Sequence, residues 1–233
     1  MLKYVIKRAL KKLKKIIFGN PKRFDSTGER VDIIYNKKID FETLDMFQKS
    51  HFKRYEYALD VIAASDICGD FACGTGYGAI MLSKKAASVI GADLNAEVVA
   101  AIQQRYRTSK NVRFITANLL DLSFDSEFDN IISFETIEHF TEENILKLLQ
   151  VFGKSLKSGG KLVISTPYMQ ERSEAALKLG HHFTFYIDEK VIINWLSATS
   201  FDILSFKYQN YDSHIIEDHL KKKDFLICVA EKR

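Results

Sequence analysis

An α/β fold, with a mostly parallel seven-stranded sheet, helices on both faces and an antiparallel edge strand, is what this sequence predicts. Two observations carry the prediction. From residue 66 onward, short apolar segments alternate with helical ones, the order that builds a parallel sheet through helical crossovers. The 233 residues are also 46% apolar and 27% charged, a balance that supports one sizeable core and argues against wholesale disorder.

The elements follow in order. Residues 2–17 read as an amphipathic helix: Leu2, Val5, Ile6, Ala9, Leu10, Leu13, Ile16 and Ile17 fall within one arc, about 140° wide at helical spacing. Gly19, Asn20 and Pro21 stop it, because glycine closes a helix and proline cannot continue one. The organisation expected is a helix over 1–20, a linker over 21–38 and one domain over 39–233. A second helix is expected over 41–64, with Leu44, Phe47, Phe52, Tyr55, Ala58 and Ile62 in approximate register. Strands are expected at 66–71, 88–92, 112–116, 129–134, 161–166, 202–208 and 225–230. Helices are expected between them at 77–86, 95–107, 144–157 and 189–198. Asn95, Thr141 and Asp188 suit the N-cap positions, with acids in the turns that follow. Ser158-Gly159-Gly160 is expected to turn the fourth of these helices into the fifth strand. A loop, not a helix, joins the last two strands, which predicts an antiparallel pair at the edge.

Charge is unevenly placed. Lys+Arg number 34 against 30 Asp+Glu, yet nine of the basic residues and no acid lie within residues 1–24. The remainder holds 25 basic and 30 acidic groups, a balance of −5. A nucleic-acid-binding body, which needs a basic surface, is therefore not expected. Cys68, Cys73 and Cys228 are odd in number and widely spread. That pattern gives neither a disulfide framework nor zinc spacing, and favours a reducing, cytoplasmic setting. No uncharged apolar run is long enough to span a bilayer, and lysines interrupt every N-terminal run before a signal sequence can form.

The chemistry concentrates at Asp70-Phe71-Ala72-Cys73-Gly74-Thr75-Gly76-Tyr77-Gly78, where the first strand meets its helix. Glycines there allow a tight turn and close approach of a ligand to backbone N–H groups. Asp93 follows Gly74 by 19 residues, at the end of the next strand, where a carboxylate can accept from both hydroxyls of a ribose. Gly74-x-Gly76-x-x-Ala79 also fits a dinucleotide fingerprint. Against a dinucleotide stands Asp70 inside the strand, where such sites are apolar. The segment Ile131-Ile132-Ser133-Phe134-Glu135-Thr136-Ile137-Glu138-His139-Phe140 at the fourth strand argues the same way.

At these motifs the sequence resembles the class I S-adenosylmethionine-dependent methyltransferases, a Rossmann-like family, over roughly residues 50–230. The family's acidic–x–Gly–x–Gly–x–Gly loop stands as Asp70, Ala72, Gly74 and Gly76, with alanine in place of the first glycine. The resemblance implies S-adenosyl-L-methionine as cofactor. It would be held at the carboxyl ends of the strands by Asp70, Ala72, Cys73, Gly74, Gly76, Asp93, Leu94, Asn118, Leu119 and Glu135. Asn118 stands where the family usually has an aspartate facing the adenine amino group, and its carbonyl can accept the same bond without charge assistance. Arg54 and Tyr55, on the helix before the core, are placed to meet the methionine carboxylate or else to form a solvated face with Tyr55 in the core.

The resemblance also implies in-line attack on the sulfonium methyl, with an alcohol acceptor needing a base. His139 suits that role by position and by residue type, an imidazole being a ready proton acceptor; packing beside the helix near Thr141 is the alternative. Glu138, Tyr168, His181 and His182 fall where the family builds its acceptor pocket. Adjacent histidines chelate poorly and no Cys, Asp or Glu completes a set, so no metal is expected. Gly28-Glu29-Arg30 and the Arg54-Tyr55 helix look like methyltransferases of bacterial surface-glycan pathways such as lipopolysaccharide, which implies a sugar or glycan acceptor. A small-molecule, quinone-precursor-like O-methyltransferase, a NAD oxidoreductase and a non-catalytic cofactor-binding protein are the competing readings. Residues 1–17 suit an anionic membrane surface at the inner face of the cell membrane, or docking on protein.

Overall fold

The computed structural model describes residues 31–35, 39–174, 177 and 182–233. The helix expected over 2–17, most of the linker over 21–38 and His181 lie outside the described residues.

The expected helix over 41–64 is two pieces. A 3-10 turn at Phe41–Thr43 is capped by Asp40, and helix α1 runs from Met46–Val61. Asp45 separates them: its side chain accepts from the Gln48 amide while the Gln48 side chain accepts from the Asp45 amide, a reciprocal cap that starts a new helix. Phe52, Tyr55 and Ala58 face the core, whereas Phe47 falls out of register and is exposed.

The core then follows as β1 (Ile67–Phe71), α2 (Tyr77–Leu82), β2 (Ser88–Asp93), α3 (Ala96–Arg105), β3 (Val112–Thr116), β4 (Phe128–Phe134) and α4 (Glu142–Ser155). After these come β5 (Leu156–Pro167), α5 (Glu189–Ala198), β6 (Phe201–Gln209), β7 (Ile216–Glu217) and β8 (Phe225–Lys232). Asn95 and Asp188 cap α3 and α5 with their side chains; Thr141 occupies the N-cap of α4 without a side-chain bond.

Among the described residues the sheet has eight strands, in the order β3-β2-β1-β4-β5-β8-β6-β7. The expected count of seven missed β7, a two-residue strand on Tyr208 and Gln209, too short to show alternation. β8 is antiparallel to both neighbours, β5 and β6, so it lies inside the sheet and not at its rim. Its composition explains this: Leu226, Ile227, Cys228, Val229 and Ala230 are all buried, as two-sided coverage requires. The Ser158-Gly159-Gly160 turn is also displaced. β5 begins directly after α4, and four residues bulge out opposite Asp129, with Gly159 at φ 72°.

Two apolar layers cover the sheet. Ile132 and Val163 pack with Tyr55, Ile80 and Ile102 on one face; their neighbours Ile131 and Leu162 pack with Leu148, Phe152 and Trp195 on the other. Successive residues point to opposite faces, so one run of sequence supplies both layers. β1 to β5 are parallel, which brings the loops after Phe71, Asp93, Thr116, Phe134 and Pro167 to a single rim. The strand order reverses between β1 and β4, opening a crevice there. No helix among the described residues is long and apolar enough to cross a membrane.

Candidate functional site

The loop between β1 and α2 is a run of left-handed backbone: φ is 63° at Ala72, 51° at Gly74 and 75° at Gly76. A β-carbon at Gly76 would stand 2.8 Å from the Phe114 ring, whereas one at Gly74 would meet nothing within 4 Å. Gly76 is thus a packing necessity, and Gly74 is the open floor of the crevice. Ala72 carries its β-carbon in a conformation that disfavours one. The cost of alanine in place of the family's first glycine is therefore in the backbone.

Asp93 knits the loop to β2. Its Oδ2 accepts from the Gly74 amide at 3.0 Å and its Oδ1 from the Asn95 amide at 2.9 Å. Each carboxylate oxygen has a second lone pair for a further donor. Leu94, next in the chain, is 71% exposed. Asn118 caps the 3-10 turn Leu119–Asp121: its Oδ1 accepts from the Leu120 amide and its Nδ2 donates to Asp121. Leu119 is buried beneath it.

Below the loop, Asp70 is fully buried. The Tyr55 hydroxyl donates to its Oδ1 at 2.9 Å, and its Oδ2 has no hydrogen-bond partner. Burial pushes the Asp70 carboxyl up to about 7, against the opposing Tyr55 bond. Tyr55 can reach it because Gly78 lacks a side chain: a β-carbon there would fall 2.0 Å from the Tyr55 ring. His51 pairs its Nδ1 with the Tyr77 hydroxyl, and burial, then Arg54, holds its pKa well below the usual value.

Arg54 is not on a solvated face. It is 2% exposed, donates to Gln209 Oε1 at 2.7 Å and Ser50 Oγ at 3.3 Å, lies over the Phe225 ring and sits 3.9 Å from Glu135. Its partners Gln209 and Phe225 come from β6 and β8. No local pattern announced them, because the contact spans 155 residues.

The end of β4 supplies the third wall. Glu135, at φ 50°, accepts at Oε1 from the Ser165 hydroxyl at 2.7 Å. Glu138 is 1% exposed, and neither carboxylate oxygen makes a hydrogen bond of full geometry; the β5 hydroxyl of Thr166 and the Glu138 amide lie close enough only to oppose, weakly, the effect of burial. Burial, then the charge of Glu135, raises the Glu138 carboxyl well above the usual range. His139 meets His182 edge to face, with ring centroids 4.9 Å apart. Their meeting is built by backbone: the amides of Phe183 and Thr184 both donate to the Glu138 carbonyl, and the Thr184 hydroxyl donates to the Phe140 carbonyl. His182 also shares a 2.6 Å bond with Gln170.

Tyr168 belongs to a separate cluster. It donates to Glu189, as does Tyr208, and Lys223 lies 3.5 Å from the centre of the Tyr208 ring. Gln170, Ser165, Glu189, Tyr208 and Lys223 were not legible as site residues, being ordinary polar positions until the chain folds.

The fold and the rim define a class: a Rossmann-like α/β domain with a nucleoside-cofactor crevice at the switch point of its sheet. The crevice fits S-adenosylmethionine in three respects: open space over Gly74, a ribose-type acid at Asp93, and a buried acceptor at Asp70 with one oxygen unpartnered. Residues 69–160 match the family model described as a methyltransferase domain. A relative named "Probable S-adenosylmethionine-dependent methyltransferase" from Mycobacterium tuberculosis is 30% identical over 121 residues, covering 50% of this chain and 42% of its own. The chain thus spans less than half the length of that relative. An S-adenosylmethionine-dependent methyltransferase from Mesorhizobium loti superposes with a TM-score of 0.64 at 16% identity, over 81% of this chain and all of the other. The [4+2]-cyclase SpnF superposes equally, with a TM-score of 0.64 at 16% identity over 84% of each chain. At such identity these structures speak for the fold.

Proposed function

We propose that the protein is an S-adenosylmethionine-dependent methyltransferase that O-methylates a sugar hydroxyl of a bacterial surface glycan or its precursor. The observation that carries the reading is the junction of two structures on one rim: the Gly74–Asp93 floor and the Glu138–His139–His182 wall. Bound S-adenosylmethionine supplies a methyl group already activated on a sulfonium. Asp93 accepts from the ribose hydroxyls, and Asn118 with Leu94 and Leu119 borders the adenine side. Ala72, Cys73 and Gly76 keep the backbone low. Arg54 serves as a positioning residue, holding Glu135 and the α1 helix against β6 and β8. His139 takes the proton of the acceptor hydroxyl as general base.

The sugar acceptor is supported by the resemblance to surface-glycan enzymes, and the quinone-precursor-like acceptor is its rival. Labelled S-adenosylmethionine incubated with the host's surface-glycan and lipid fractions tests both: label in a glycan fraction is expected, and label confined to a lipid-soluble small molecule overturns the sugar. The superposition with a cyclase makes direct transfer the necessary readout. Calorimetry with S-adenosylmethionine and NAD separates the oxidoreductase; tighter binding of NAD would end the methyltransferase reading. Residues 1–17, with seven basic side chains from Lys3 to Lys15, place the enzyme at an anionic membrane surface in this proposal. Deleting residues 1–20 should free the protein from anionic vesicles, and unchanged co-sedimentation would refute attachment.

A further inference from the structure

The wall of the crevice holds a ligand set that no sequence spacing announces. The side-chain donor atoms of Glu138, His139 and His182 all lie within 4.8 Å of one another. Two come from the turn after β4 and the third from a segment over forty residues later, held by the Phe183 and Thr184 amides on the Glu138 carbonyl. The adjacent pair His181-His182 chelates poorly in sequence, but in the fold His182 turns to meet Glu138 and His139. The second observation is the state of Glu138 itself: it is buried to 1%, and neither of its carboxylate oxygens makes a hydrogen bond of full geometry. A buried carboxyl with neither a full hydrogen bond nor a cation is costly, and a bound cation removes that cost.

We propose that Glu138, His139 and His182 bind one divalent transition-metal ion, of the Zn2+, Mn2+ or Co2+ type, which holds and activates the acceptor hydroxyl. Two imidazoles and one carboxylate suit these ions better than Mg2+ or Ca2+, which prefer all-oxygen sets. Ligand bonds of about 2.1 Å in a tetrahedron place donor atoms about 3.4 Å apart, so small side-chain rotations close the site. Three protein ligands leave at least one position for the acceptor oxygen. Coordination there lowers the hydroxyl pKa, and its proton passes to solvent water. The inference rests on the methyl-transfer reading and reassigns His139 from base to ligand.

The test uses the full chain freed of metal by a chelator and titrated with Co2+, followed by visible absorption and calorimetry. One equivalent is expected, with d–d bands characteristic of nitrogen and oxygen ligands. His182→Asn and Glu138→Gln should each weaken Co2+ binding at least tenfold, while S-adenosylmethionine binding by the metal-free protein stays within twofold. Should Glu138→Gln fail to fold, His182→Asn alone decides, since its side chain is only half-buried. Absence of stoichiometric binding, or binding that His182→Asn leaves unchanged, overturns the site. Failure of the methyltransferase reading shows separately, as loss of S-adenosylmethionine binding in the wild-type chain with Co2+ binding intact.

Discussion

The two walls of the crevice are built by opposite means. On the β1–β2 side the residues that matter lie within one βαβ unit, and the contacts are backbone to side chain: Gly74 to Asp93, Asn95 to Asp93, a left-handed loop over a helix start. On the β4–β5 side the groups come from far apart: Arg54 meets Gln209 and Glu135 meets Ser165 through side chains, and His139 meets His182 through backbone bonds to the Glu138 carbonyl. The first wall is a geometry that only a few residue types can adopt. The second is an assembly of common polar residues whose meaning depends on the rest of the fold.

That division can be broken by substitution. The largest effect is expected on the second wall. His139→Ala should lower methyl transfer about a thousandfold, worth about 4 kcal/mol, with S-adenosylmethionine affinity within twofold in calorimetry. A parallel loss of affinity would show that the walls are not separable. On the first wall, Gly76→Ala adds left-handed strain and a clash with Phe114, together costing roughly 3 kcal/mol. Urea unfolding should report that loss, accompanied by weaker cofactor binding.

A smaller effect comes from protons. The Asp70 carboxyl rises from an ordinary 3.8 to about 7 because burial disfavours its charge, so between about pH 4 and 7 the folded chain holds a proton that the unfolded chain releases. Its contribution to stability is complete below that window and is lost as pH rises through 7. Asp70→Asn should therefore narrow the fall in unfolding midpoint between pH 5 and 7.5. An identical pH profile in both proteins would contradict the assignment. Glu138 acts with the same sign, so part of the slope should survive. The smallest change is Ala72→Gly. It relieves a left-handed alanine at φ 63° and gains about 0.5 kcal/mol after the entropy cost of glycine; a loss of stability would mean that the methyl packs usefully.

What the sequence made legible tracks the same division. Strand positions, the caps at Asn95 and Asp188, the glycine loop and Asp93 were readable because each is a local pattern with a local cause. The antiparallel pairing of the last two long strands was readable from the loop that joins them, whereas the place of β8 between β5 and β6 is a long-range property at which its unbroken apolar run only hints. Arg54 was left between the cofactor's carboxylate and a solvated face, because an arginine on a helix face does not announce Gln209 and Phe225, which cover it. The approach of His182 to His139 had no sequence signal at all: backbone bonds to the Glu138 carbonyl create it.

The bond from Tyr55 to Asp70 has a further consequence. The segment that matches the family model opens at residue 69 and closes at 160, whereas the hydroxyl that satisfies its most deeply buried acid lies fourteen residues before that segment. Most of the β5 pairing with β4 lies after it. A fragment trimmed to the matching segment would keep the signature yet strand Asp70 in an apolar interior and leave a sheet edge bare. The stretch that declares kinship is not the unit that folds.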